Sequence, residues 1–423
     1  MELLRQKTVA SGGVVYAIAW VWCVAGALSA VDPGGTCAAP SDGSGAVATL
    51  RNETPVVNLL EPIRQKYGVP AICAAVVNSE RIIAGGAVGV RKHGTDIPVT
   101  VNDIWHLGSE TKAMTAALIG RLVERGQLRW DSTMAEIFPE WADEMQPEMK
   151  DVTILQLLSH WAGLVENVQW HQFAQHGCLS QQRYAVAKKL LTEQPKYPPG
   201  TGGHYSNAGY VLAGAVVEKI TADTWEKQIA ALLFEPLGMA SAGFGGVGTA
   251  GCIDQPWGHY EDGRPVERNG PAMDNPPVLG PAGRVHCTIS DWAAFVIDQL
   301  RGAQGKAALL EPKTYQRLHQ PPFGDVYALG WLAVPRNWAD GTALTHSGSN
   351  TMNYATVWIA PNRDFAALVC INQGGQAAFK ASDEAVGALI GAFLNTRLEN
   401  EELKMEEEGR IEESRKSKEN EEY

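Results

Sequence analysis

Ser109-Glu110-Thr111-Lys112 opens a long amphipathic segment that continues through residues 113–128. Positions i and i+3 share one face of a helix, so the Lys112 amine can reach the Ser109 hydroxyl. A serine hydroxyl is a poor nucleophile until a base stands beside it. The pair therefore points to covalent acyl transfer through Ser109. Taken singly, a serine at a helix start is an ordinary N-cap. Lys112 alone is an ordinary solvated charge. The reading depends on what the rest of the chain supplies.

Working outward, residues 56–68 carry a helical pattern, and Gly126 is placed to stop the Ser109 helix. Apolar runs at 71–77 and 82–88 flank Asn78-Ser79-Glu80-Arg81 and predict a hairpin. A second hairpin is expected from 355–359 and 365–371 around Pro361-Asn362-Arg363-Asp364. A further strand is read at 329–334, and a last helix at 383–394 with Ser382 as its N-cap. Between these ends, helical runs at 152–159, 181–192, 208–220 and 289–300 alternate with Pro- and Gly-rich loops. The fold class is thus α/β (α+β): an antiparallel sheet built from both chain ends, flanked by the Ser109 helix and the last helix. The expected division is a discontinuous sheet-containing domain, 51–130 and 323–396, and an inserted mainly helical domain, 131–322. A cleft between them is the natural place for a site.

The 423 residues are 45% hydrophobic, enough for a large core, and the formal net charge of −12 argues against nucleic-acid binding. Arg5 and Lys7 precede an apolar run at 14–30 that ends in Ala27-Leu28-Ser29-Ala30. Residues 1–30 read as a signal peptide, with an uncleaved anchor as the alternative. The chain is therefore expected to be secreted or periplasmic, with no other membrane segment. Residues 31–50 read as a flexible leader. The tail 397–423 holds 11 Glu against 6 Lys and Arg and cannot bury a face. Cys73 and Cys370 lie in strand-like runs and read as buried thiols; pairing among the cysteines cannot be derived. No CxxC, H-E-x-x-H or G-x-S-x-G occurs, so neither a metal centre nor an α/β-hydrolase elbow is expected. No cofactor is expected.

Two further elements raise the Ser109–Lys112 pair above a chance match. Tyr205-Ser206-Asn207 lies in a loop just before a helix, and His346-Ser347-Gly348 precedes the strand-like run beginning at Asn353. With these, the chain resembles the serine β-lactamase and penicillin-binding-protein superfamily. The tyrosine of the second element points to the branch of class C β-lactamases, D-aminopeptidases, DD-carboxypeptidases and family VIII carboxylesterases. Leu157-Leu158-Ser159-His160, Pro236-Leu237-Gly238-Met239, Pro281-Ala282-Gly283-Arg284 and Leu329-Gly330-Trp331 follow in order and support it.

The resemblance implies a role for each matching residue. Ser109 would form the acyl-enzyme, Lys112 would act as or assist its base, and Tyr205 would shuttle a proton to the leaving group. Asn207 would hydrogen-bond the substrate. The backbone N–H groups of Ser109 and Ser349, the latter just after Gly348, would form the oxyanion hole. His346 departs from the lysine usual at its position. A histidine is mostly neutral at pH 7, so carboxylate recognition should be weak or pH-dependent. Arg284 is a candidate substitute cation. The remaining histidines, His160, His171, His176 and His204, are expected to cap or pack. The implied substrates are small esters, D-amino-acid peptides or β-lactam-like amides. The alternative is a catalytically silent homologue that binds peptidoglycan peptides or a protein partner.

Overall fold

A computed structural model describes residues 50–306, 308–395 and 397. The expected signal peptide and almost all of the leader and charged tail lie outside the described residues. Nine strands are described: β1 (Ala71–Val77), β2 (Ile82–Gly89), β3 (Ile104–His106), β4 (Gly243–Phe244), β5 (Val285–Thr288), β6 (Leu332–Arg336), β7 (Gly341–Ser349), β8 (Tyr354–Ala360) and β9 (Phe365–Ile371). The helices of eight or more residues are α1 (Thr54–Tyr67), α2 (Thr111–Glu124), α3 (Leu179–Thr192), α4 (Asn207–Thr221), α5 (Ile289–Ala303), α6 (Pro312–His319) and α7 (Gly375–Leu389). The main sheet has six strands in the order β2-β1-β9-β8-β7-β6, every neighbour antiparallel. Both chain ends therefore meet in its centre, where β1 pairs with β9.

Every residue of β1 and β9 is buried, which is why both read as unbroken apolar runs. Side chains alternate between the two faces of a strand. Ile72, Ala74 and Val76 pack with Leu60 of α1 and Ala381 and Leu389 of α7. Cys73, Ala75 and Val77 join a larger core with Met114 and Leu118 of α2 and Trp292 and Phe295 of α5. Cys73 stands opposite Cys370 across the β1–β9 ladder, and both are buried free thiols. Cys252 is disulfide-bonded.

Three expectations are corrected. The strand read at 329–334 begins at Leu332, because Gly330 turns the chain at φ 82°. A Cβ there would lie 2.5 Å from the Ala113 Cα, so only glycine lets this turn rest on α2. The last helix begins at Gly375, not at Asp383. Ser382 is buried inside it and donates to the Phe379 carbonyl at 2.9 Å instead of capping. Finally, His346-Ser347-Gly348, expected to precede a strand beginning at Asn353, itself belongs to β7. Its Thr- and Gly-rich sequence hides a strand that is bonded on both sides.

The helical region is held by a buried charge. Arg183 of α3 is fully buried and pairs with Glu218 of α4 and with Glu226. Removing one partner of a buried ion pair strands the others and costs ~3–5 kcal/mol. Arg183→Met should lower stability by that amount in urea unfolding at neutral pH. A loss near zero would show that the two carboxylates find other partners.

Candidate active site

Ser109 sits in a 3-10 turn, Gly108–Glu110, that runs straight into α2. Gly108 takes φ 53°, and a Cβ on it would lie 2.3 Å from the Ser349 nitrogen. A Cβ on Gly348 would lie 2.0 Å from the Leu107 carbonyl and 2.6 Å from the Ser109 nitrogen. The two glycines thus let the end of β7 lie directly against the serine turn. The backbone nitrogens of Ser109 and Ser349 are brought together by this contact.

Lys112 is completely buried one turn along α2. Its Nζ lies 3.1 Å from Ser109 Oγ, 2.7 Å from Asn207 Oδ1 and 2.6 Å from the Ala282 carbonyl. Burial pushes the amine well below the usual lysine range, against the opposing pull of Glu110 and Glu166. Burial likewise lifts the Glu110 carboxyl well above the usual carboxylate range and favours its neutral form. A neutral amine has two N–H bonds and one lone pair. The Ala282 and Asn207 oxygens only accept, so they take the two N–H bonds, and the lone pair faces Ser109 Oγ. The Tyr205 hydroxyl donates to the same Oγ at 2.8 Å. Burial raises the Tyr205 phenol, partly offset by its bond to Ser109, so it holds the tyrosine proton while it loosens the lysine's. The Asn207 amide nitrogen donates to Asn167 Oδ1 at 3.1 Å. Ser206, the N-cap of α4, and Asn207, its first residue, fix this approach.

His346 is buried in β7. Its Nδ1 lies 2.9 Å from the Ser347 carbonyl, which can only accept, so Nδ1 carries the proton. Nε2 then accepts from the Tyr327 hydroxyl at 3.1 Å. Burial and the Lys112 charge push the imidazole down to about 3. His346 is therefore neutral at pH 7, as expected, but stays so far into acid. Arg284 supplies no cation either: its Nε donates to buried Asp274 at 2.8 Å, which neutralises it.

Asp274 joins the supports of the site. Oδ1 lies 3.0 Å from His106 Nε2 and accepts from Asn350 Nδ2 at 2.9 Å, and Oδ2 takes Arg284. His106 Nδ1 in turn accepts the Gly108 N–H at 3.1 Å. One carboxylate thereby ties the strand entering Ser109, the residue after Ser349 and the segment after Ala282. Burial alone would raise the Asp274 carboxyl, but His106 and Arg284 hold it far below the usual carboxylate range. Two cavities flank the serine. One, of about 610 Å³, is lined by Tyr205, Tyr327 and His346. The other, of about 460 Å³, is lined by Ser109, Asn207 and Ser349.

The family model described as Beta-lactamase matches residues 56–392. The chain belongs to the β-lactamase family. It is 26% identical over 364 residues to penicillin-binding protein 4 of Amycolatopsis lactamdurans, covering 79% of this chain and 89% of that protein. A 25% identical match of 189 residues joins 42% of this chain to 44% of a putative D-alanyl-D-alanine carboxypeptidase of Escherichia coli strain K12. The crystal structure of a β-lactamase from Sulfitobacter sp. EE-36 superposes with a TM-score of 0.66 at 20% identity. It covers 81% of this chain and 97% of that one, a likeness of fold. The protein is a β-lactamase-related serine hydrolase.

Within this β-lactamase-family site the sequence reading missed the supports. Asp274 lies in a turn-rich stretch with no periodicity, and His106 sits in a strand too short to show one. His160 was expected only to cap or pack, and it does so at the site. It accepts the Ser206 N–H at 3.1 Å and packs against the Tyr205 and Tyr327 rings at 4.5 and 4.4 Å between centroids. Among the described residues no helix is long and apolar enough to cross a membrane.

Two substitutions probe the supports. Gly348→Ala must push β7 off the serine turn; with the Ser109 and Ser349 N–H groups as the expected oxyanion hole, losing one aligned donor costs roughly 10²–10³ in kcat. Ester turnover and thermal unfolding measured together should show that rate loss with the fold kept; unchanged kcat would contradict it. Asp274→Ala strands His106 and Arg284 in the interior. It should cost ~2–4 kcal/mol in chemical unfolding. Wild-type stability would show that the three segments hold without it.

Proposed function

We propose that the protein is an exported serine hydrolase that forms an acyl-enzyme on Ser109. The observation that carries the reading is the Lys112 amine, buried and hydrogen-bonded to two acceptors and to Ser109 Oγ. Neutral Lys112 takes the proton as Oγ attacks the substrate carbonyl. Tyr205, also hydrogen-bonded to Oγ, passes a proton to the departing group and takes its replacement from protonated Lys112, which is neutral again. Lysine and tyrosine act as a coupled pair in this relay. The backbone N–H groups of Ser109 and Ser349 receive the oxyanion, and the N-terminus of α2 adds its positive dipole end. Water then attacks the acyl-enzyme, and the relay runs in reverse. Asn207 orients the acyl portion from the second cavity. The cleft receiving the substrate lies between the sheet-containing and helical parts of the chain.

Substrates in this reading are small esters, D-amino-acid peptides or β-lactam-like amides. The neutral His346 favours esters among them, because no cation replaces the usual lysine. Export is supported by the sequence pattern of residues 1–30 and by the disulfide at Cys252, since disulfides persist in oxidising compartments.

The test is side-by-side turnover of a short-chain nitrophenyl ester, nitrocefin and a D-Ala-D-Ala peptide, with a serine probe located by mass. The ester should be fastest, the adduct should sit on Ser109, and Ser109→Ala should lose roughly 10⁴-fold or more. No ester turnover and no adduct would favour the catalytically silent reading. The pH profile gives a second check. A base with a depressed pKa is active above that pKa and is lost as pH falls through it. The acid limb of kcat/KM should therefore lie well below the ordinary lysine value of ~10.4. Activity rising only near pH 10 would contradict Lys112 as base.

A further inference from the structure

The larger cavity lies on the Tyr205 side of Ser109, and Asn207, Ala282 and Ser349 line the other. In the proposed mechanism Tyr205 protonates the departing atom, so the leaving portion occupies the Tyr205 side. The wall there is built from Tyr205, Tyr327, His346, Leu332, Trp358 and Phe379. Most of its exposed lining is apolar, although the hydroxyls of Ser159, Thr345, Ser347, Thr356 and Ser382 are part of it. His346 is held as a neutral acceptor by Tyr327. The ionic groups lining it are Asp325 and Asp383. Asp325 accepts from Trp161 Nε1 at 2.8 Å and from the Tyr327 N–H at 2.9 Å, both neutral donors. A Cβ on Gly203 would lie 2.2 Å from Asp325 Oδ2, so glycine at 203 admits the carboxylate to the cavity mouth. Among the described residues no Lys or Arg lines this cavity. None lines the smaller one either, where the ionic group is Glu166.

Resting on the acyl-enzyme reading above, we propose that the leaving portion of the substrate is apolar and carries no negative charge. A carboxylate placed there would meet no cation, would lose hydration against an apolar wall and would face two carboxylates. An apolar alcohol or amine gains by burial against Trp358, Leu332 and Phe379. The charge preference is thus written in the cavity lining, and its assignment to the leaving portion rests on the Tyr205 proton transfer. Aspartates 325 and 383 and Phe379 act as specificity determinants without touching the reacting atoms.

The experiment uses esters with one acyl group and isosteric alcohols that are neutral, ammonium-bearing or carboxylate-bearing. The neutral and ammonium esters should exceed the carboxylate ester in kcat/KM by roughly tenfold, and more at low salt. The double variant Asp325→Asn/Asp383→Asn should raise the carboxylate-to-neutral ratio of kcat/KM roughly fivefold. Phe379→Arg, at an exposed position of the rim, should raise the carboxylate ester by a similar factor. A carboxylate ester as fast as the neutral one, or variants that leave the ratio unchanged, would overturn the proposal. Calorimetric binding of the matching non-hydrolysable amides to Ser109→Ala reads the same preference without turnover. Tighter binding of the neutral amide supports the proposal even if hydrolysis fails, and equal or tighter binding of the carboxylate amide overturns it.

Discussion

The site depends on keeping the Lys112 amine out of water beside Ser109. Burying an ammonium without a counter-ion costs several kcal/mol, so the cheaper course is to lose the proton. The two nearest acceptors are a carbonyl and an amide oxygen, not carboxylates. They satisfy the N–H bonds of a neutral amine without restoring the charge. Glu110, the nearest carboxyl in sequence, is itself pushed toward neutrality by burial. In the proposed mechanism the same desolvation makes the lysine a base, keeps the glutamic acid from opposing it, and leaves a lone pair aimed at the serine.

That arrangement requires four segments to meet with little tolerance. The Gly108–Gly348 contact brings the β7 backbone closer to the serine turn than any side chain would allow. Asp274 then ties His106, Arg284 and Asn350 to one another, so the turn, the end of β7 and the segment carrying the Ala282 carbonyl move as one. Pairing of β1 with β9 closes the chain ends and supplies the sheet on which β7 is held. Much of the positioning is thus done by backbone proximity and buried polar links.

How legible the molecule was follows the same division. The β1–β2 and β8–β9 hairpins were readable because their largely buried strands are apolar runs bounded by turn residues. Ser109, Lys112, Tyr205 and Asn207 were legible as spaced motifs, and the structure links them through the Lys112–Ser109, Lys112–Asn207 and Tyr205–Ser109 hydrogen bonds. β7 was not, since Thr, His, Ser and Gly on a strand look like a loop until both neighbours are known. The start of α7 was missed because Ser382 mimics a cap, while the true boundary is a Gly374-Gly375 pair. Asp274 and His106 were invisible because their importance lies only in contacts between distant segments. His346 was recognised as a departure, yet its near-permanent neutrality follows from burial and from Tyr327, which no local pattern records.

The protonation state of Lys112 is the centre of this account, and it can be measured without any substrate. With lysines isotopically labelled and Lys112 assigned by its absence in Lys112→Met, the side-chain nitrogen and ε-carbon shifts can be followed by NMR across pH 5 to 11. The account predicts a Lys112 midpoint well below the ~10.4 of ordinary lysines, with the amine neutral at the pH of turnover. A Lys112 resonance that remains that of an ammonium until pH 10 would contradict it.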